Sequence, residues 1–100
     1  EELVRSWFTG VRRNLAIVTS GLVVFDCDDP AKEELVLSHC GPTPHHLRTP
    51  RGGVHLGYRK RKGAAVMNQV RIKGLPIDIR TDGGLELLPP SRTVDGAYVW

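Results

Sequence analysis

The chain has 100 residues, the length of one domain, and its 40% hydrophobic and 25% charged residues are ordinary proportions for a globular protein. Its net charge of +3 favours an anionic partner only weakly. Two cysteines without a CxxC motif exclude a disulfide framework, and no apolar run reaches the roughly 18 residues that a membrane-spanning helix requires.

The first half of the chain predicts a helix, two strands and a second helix. Apolar residues recur at helical spacing over 3–8, and a short β-prone run covers 15–18. The continuously apolar run 22–25 predicts a strand that is buried on both faces. Asp29 is a good N-cap for a helix that begins at Pro30 and extends to about Ser38.

Four strands are expected in the second half, over residues 45–49, 53–58, 77–80 and 85–88. Asp82-Gly83-Gly84 separates the last two and is a strong signal for a hairpin between them. Few helices mixed with many strands predict an α+β fold in a single domain.

The first candidate site is Asp26-Cys27-Asp28. Residues two apart on a strand face the same side, so Asp26 and Asp28 are expected to project together. Adjacent carboxylates repel each other, and a bound Mg²⁺ or Mn²⁺ relieves that repulsion. The alternative is that Asp28 and Asp29 cap the next helix. A calcium EF-hand fits poorly, because the twelfth position counted from Asp26 is Leu37 instead of glutamate.

Asp78 lies between two isoleucines on an expected strand and faces the same side as Arg80. It is therefore a candidate for an ion pair or for a third metal ligand, and a surface position on a one-sided sheet is the alternative. The segment 49–55 offers an arginine, two glycines and a histidine. Glycine amides and an arginine fork suit phosphate oxygens, although such a segment is also common in simple turns.

Other candidates have less support. The spacing of His39, Cys40, His45 and His46 matches no familiar zinc pattern. The basic run 59–62 could contact a nucleic-acid backbone or be a solvated turn.

The order of these segments resembles that of bifunctional primase-polymerase (prim-pol) domains of the archaeo-eukaryotic primase superfamily. Residues 20–28 (SGLVVFDCD) resemble the first motif of that family, and residues 49–55 (TPRGGVH) resemble the second. Residues 77–84 (IDIRTDGG), followed by 88–91 (LPPS), resemble the third, and the ending 96–100 (GAYVW) also suits the family.

This resemblance implies an RRM-like antiparallel sheet with flanking helices, and it implies catalytic metals (two Mg²⁺ or Mn²⁺ ions) held by Asp26, Asp28 and Asp78. It also implies that His55, a catalytic residue, contacts the incoming nucleoside triphosphate. Gly53 departs from the wider superfamily, in which many relatives have serine two positions before the histidine. The remaining nucleotide-binding candidates are proposed from chemistry and position: Arg51, Gly52, Gly53, Arg80, Ser91 and Arg92.

The expected activity is template-directed nucleotidyl transfer on a DNA template and primer. The expected setting is cytoplasmic, without a membrane partner, because Glu1-Glu2 is unlike the basic start of a signal peptide. A chain without an initiator Met is expected to be part of a longer protein, with a helicase domain as one candidate partner.

Two other functions remain open from the sequence. A metal-dependent nuclease could use the same carboxylates, but no (D/E)xK motif follows them. A non-catalytic RRM-like binding module would stack bases on sheet aromatics, and no aromatic pair marks such a face.

Overall fold

A four-stranded antiparallel sheet forms the centre of the computed structural model, which describes residues 1–10 and 12–100. Short 3₁₀ turns cover Pro30–Lys32 and Ile72–Gly74. The helices and strands, in chain order, are α1 (Glu2–Phe8), β1 (Leu15–Val18), β2 (Leu22–Cys27), α2 (Glu33–Cys40), β3 (His45–Arg48), β4 (Val54–Arg59), β5 (Ile77–Arg80), β6 (Leu85–Leu88), β7 (Arg92–Thr93) and β8 (Gly96–Ala97).

The central sheet has the strand order β3-β4-β2-β5. Strands β2 and β3 each pair antiparallel with β4, so they run parallel to each other, and α2 connects them. A helix that links two parallel strands with a third strand between them is a split βαβ unit. Two smaller two-stranded sheets, β1-β6 and β7-β8, complete the structure. The expected α+β class with antiparallel sheets is confirmed.

The hydrophobic core lies between the central sheet and α2. Alternation along β2 and β4 turns Cys27, Val54 and Leu56 towards the helix, where Val36 and Ile77 join them. The same alternation turns Asp26 and His55 to the opposite face. The main hydrophobic core and the candidate site therefore lie on opposite faces of the same strands.

The opposite face of the sheet is covered in part by the β1-β6 sheet. Glu86 on β6 reaches both His45 on β3 and His55 on β4, which fixes β6 above the central strands. Val24, on that face of β2, is fully buried. The candidate site is thus enclosed on one side by a second sheet.

The expected hairpin between β5 and β6 is wrong. The two strands have the expected bounds, but β5 pairs with β2 and β6 pairs with β1. The other edge of β5 is occupied by Gln69, which exchanges two backbone hydrogen bonds with Ile79. Gly84 donates its N–H to the carbonyl of Thr81, so a tight turn is present, but it carries the chain from one sheet to another.

Most of the other elements agree with the sequence. Asp29 accepts a hydrogen bond from the Ala31 N–H at 2.9 Å and caps the turn that leads into α2, which ends at Cys40, two residues beyond the expected Ser38. The helices of the described residues are too short to cross a membrane.

Candidate active site

Three predicted residues form a row across the central sheet. Asp26 on β2 lies directly opposite His55 on β4 and directly opposite Asp78 on β5. Directly opposite residues of antiparallel strands project from the same face, so strand register alone brings these three residues to one face. The sequence could not supply this register, because the three residues belong to distant segments.

A cavity of about 270 Å³ opens beside this row. Asp26 and Asp28 both line it, as the alternation along β2 predicts. Candidates from the second motif, Arg51 and His55, line it as well. The remaining lining residues are Thr49, Pro50, Thr93, Asp95 and Tyr98.

Both carboxylate oxygens of Asp26 are paired with cationic groups. Oδ1 lies 3.1 Å from Nε2 of His55, and Oδ2 accepts a hydrogen bond from Nη2 of Arg80 at 2.8 Å. Burial by itself would raise the pKa of Asp26, but the hydrogen bonds to His55 and Arg80 outweigh it and lower the pKa. Asp26 is therefore an ionised carboxylate at neutral pH, although it is only 8% exposed.

His55 is held between two carboxylates. Its Nε2 faces Asp26, and its Nδ1 lies 2.9 Å from Oε2 of Glu86. Burial alone would lower the pKa of His55, but the hydrogen bonds to Asp26 and Glu86 raise it from 6.5 to about 9. The ring is thus an imidazolium at neutral pH and donates both of its N–H groups.

Asp28 differs from Asp26 because its side chain is exposed. Its pKa is raised by partial burial and then by the negative charges of Asp26 and Asp78, against the smaller opposing effects of Arg71 and Arg80. The negative charge of Asp28 is therefore under-compensated, which suits a cation ligand. Among the described residues, no three Asp, Glu, His or Cys side chains form a complete metal site. A metal here would need water or phosphate oxygens as further ligands.

Asp78 shares the face of Asp26 but not its cavity. Its Oδ1 accepts a hydrogen bond from the backbone N–H of Arg71 at 2.8 Å. It lines a separate pocket with Asn68 and Gln69, beside Arg80. Asp78 contributes charge near Asp28, and its role as a third metal ligand stays a prediction.

Arg80 has one donor in use and another without a partner. Nη2 binds Asp26, whereas the buried Nε has no hydrogen-bond partner in the described part of the chain. Buried donors in folded proteins are almost always satisfied, so this N–H needs an oxygen partner, which a water molecule or a ligand can supply.

The turn at residues 49–53, which contains Gly52 and Gly53, is only partly free for ligand contacts. Arg51 is 85% exposed at its side chain and donates from Nε to Asp95 at 3.0 Å. The N–H of Gly52 donates to the carbonyl of Thr49 at 2.9 Å, so this amide is used inside the turn. The turn therefore places Arg51 at the cavity rim.

Gly53 packs tightly against the strand that carries the aspartates. A Cβ at this position would lie 2.8 Å from the carbonyl oxygen of Cys27 and 3.1 Å from Oγ1 of Thr49. We therefore expect Gly53→Ser to lower the free energy of unfolding by about 1–3 kcal/mol, the usual effect of overpacking. Urea denaturation measures this, and a loss below about 0.5 kcal/mol, the range of surface substitutions, would contradict the close approach.

Two nucleotide-binding candidates lie away from the cavity. Ser91 is buried, and its hydroxyl accepts from the N–H of Leu15 at 2.7 Å and donates to the carbonyl of the same residue at 3.0 Å. Arg92 is exposed on β7 and lines a different pocket with Arg12 and Arg13. The structure thus brings together Asp26, Asp28, Arg51, His55 and Arg80, and it leaves Ser91 and Arg92 apart from them.

Sequence reasoning missed two residues of the site, Glu86 and Tyr98. Glu86 pairs with His55, and the Tyr98 ring lies 6.2 Å from the His55 ring. The available signal for Glu86 was a single carboxylate in the leucine-rich strand 85–88, a charge that needs a partner when the strand is buried.

Comparison with known proteins identifies the family. Neither the curated proteins nor the solved structures gave a match to this chain. The family model described as bifunctional DNA primase/polymerase, N-terminal, matches residues 1–100 and indicates a function related to DNA priming or polymerisation. Because the match covers the whole chain, the chain belongs to the prim-pol family.

Proposed function

We propose that this chain carries the catalytic centre of a DNA primase/polymerase that performs metal-dependent, template-directed nucleotidyl transfer from nucleoside triphosphates. One observation carries the proposal: a carboxylate pair, Asp26 and Asp28, shares a cavity with the cationic side chains of His55 and Arg51. Carboxylates suit a divalent cation and cationic side chains suit a triphosphate, so the cavity offers ligands for both.

The donor set fits Mg²⁺ or Mn²⁺. These ions are commonly held in proteins by one or two carboxylates, with water and substrate phosphate oxygens as the other ligands. Asp26 and Asp28 supply the two carboxylates. Bound metal supplies activation of the attacking 3′-hydroxyl and charge neutralisation at the triphosphate.

The cationic residues then have a distinct role. His55, Arg80 and Arg51 donate N–H groups to triphosphate oxygens, hold the substrate in line and balance negative charge on the departing pyrophosphate. The unpaired Nε of Arg80 is one such donor. Without metal, His55 and Arg80 both pair with Asp26, so they would have to release this carboxylate for it to hold a cation.

This release of Asp26 leads to an expected result in calorimetry. When a cation binds Asp26, the donors of His55 and Arg80 become available to phosphate, so metal and nucleotide should bind cooperatively. We expect Mn²⁺ to bind at least tenfold more tightly in the presence of dATP than in its absence, a coupling of about 1.4 kcal/mol. Equal Mn²⁺ affinities with and without dATP in a folded chain would contradict the shared site.

Primer extension tests the activity itself. A labelled primer annealed to a longer template, incubated with Mn²⁺ and deoxynucleotides, should lengthen one nucleotide at a time. The same reaction without nucleotides is the control, because shortening of the primer there would identify a nuclease. Binding of DNA that is independent of metal, without extension, would identify a binding module.

A further inference from the structure

Glu86 is a fully buried carboxylate between two histidines. Its side chain has no exposed surface. Oε1 lies 2.8 Å from Nε2 of His45, and Oε2 lies 2.9 Å from Nδ1 of His55. Both oxygens are therefore fixed, and the carboxylate has little freedom to rotate.

Packing gives little reason for a carboxylate at this position. Glu86 belongs to a strand of leucines and enters the space between two sheets, where an apolar side chain would cost no desolvation. Replacing buried ion pairs with apolar residues is often neutral or stabilising for a fold. The charge is better explained by what it does to its partner, His55.

We propose that Glu86 is the positioning residue of His55: it accepts the Nδ1–H and thereby directs the Nε2–H towards Asp26 and the cavity. The hydrogen bond at one ring nitrogen sets the orientation and the function of the other nitrogen. The inference rests on the proposed function in one respect, namely that His55 contacts the triphosphate.

The surroundings of the ring support this assignment. His45 holds the second oxygen of Glu86, and the ring of Trp100 lies edge-on to His45 at 5.6 Å. Tyr98 flanks His55 on another side. Glu86 is thus itself held in place, as a residue that orients another must be.

The first test is spectroscopic and needs no substrate. In ¹⁵N-labelled chain without metal, the Nδ1–H of His55 should give a slowly exchanging signal that is assigned by its loss in His55→Ala. Glu86→Gln keeps the size and one acceptor, and Glu86→Ala removes the acceptor. We expect the signal to shift in the first variant and to disappear in the second, and an unchanged signal in both would overturn the proposal.

The second test is a double-mutant cycle on dATP affinity in Mn²⁺. We expect Glu86→Ala to weaken binding about 10- to 100-fold, the same range as for residues that orient metal-binding histidines, and Glu86→Gln to restore part of it. If Glu86 acts through His55, the double variant binds no worse than His55→Ala alone. A further loss in the double variant would overturn the proposal.

A buried control separates positioning from stability. Thr19 is fully buried and donates to the carbonyl of Thr81 at 2.7 Å, away from His55. Thr19→Val should lower the unfolding midpoint without changing dATP affinity. If His55→Ala binds dATP normally, the proposed function of His55 fails. If His55→Ala loses binding and both Glu86 variants keep it, only the positioning role fails.

Discussion

Replacing Asp28 with asparagine should lower the rate of nucleotide incorporation by on the order of a thousandfold without lowering the stability of the chain. The loss of rate follows from the loss of a charged metal ligand, since metal stabilisation of the transition state is worth several kcal/mol. Stability is unaffected because Asp28 is exposed and its charge is repelled by Asp26 and Asp78. Removing that charge relieves repulsion, so the free energy of unfolding should stay within about 0.5 kcal/mol or rise.

The neighbouring Asp29 offers a matched control. Asp29→Asn makes the same charge change one residue further along, outside the cavity. Its side-chain oxygen accepts the N–H of Ala31, and asparagine can accept the same hydrogen bond. Primer extension by Asp29→Asn should therefore remain near that of the unaltered chain. Asp28→Asn activity within tenfold of the unaltered chain, or an equal loss in Asp29→Asn, would rule out Asp28 as a ligand.

The sequence predicted those structural features that depend on residues close together in the chain. Strand alternation predicted that Asp26 and Asp28 project together, and both line one cavity. The cap at Asp29 was likewise a local pattern. These features follow from spacing along the chain, so one sequence is enough to predict them.

The features that the sequence did not predict depend on contacts between distant segments of the chain. The signal at 82–84 corresponds to a tight turn but not to the predicted hairpin, because Gln69 takes the free edge of β5 and nothing within the turn encodes that. Ser91 is similar, because its hydroxyl is occupied by Leu15 from a distant strand. Glu86 meets His55 only because the β1-β6 sheet lies over the central one. Sheet packing, which is a tertiary property, determines these contacts.

Asp26 and Asp28 have the same side chain and line the same cavity, yet their variants should differ in stability. Asp26 is buried and paired with His55 and Arg80, so Asp26→Asn leaves Arg80 without its charged partner and leaves His55 with Glu86 as its remaining carboxylate. Breaking a buried ion pair by removing one partner costs about 3–5 kcal/mol. Because Arg80 is 40% exposed at its side chain and solvent screens it, we expect the lower end, about 3 kcal/mol, in urea denaturation.

A second substitution tests whether this loss comes from charge. Arg80→Met removes the cation that Asp26→Asn leaves unpaired. The double variant should therefore lose less free energy of unfolding than the two single variants lose together, by more than about 0.5 kcal/mol. Activity should not recover, because the metal ligand is still missing. If Asp26→Asn is as stable as Asp28→Asn, or if the double variant is strictly additive, Asp26 is not held by these ion pairs. If Asp26→Asn is stable, His55 and Arg80 are not held by Asp26, and a cation at Asp26 would not free their N–H groups for phosphate. The expected cooperativity between Mn²⁺ and dATP would then have no physical basis.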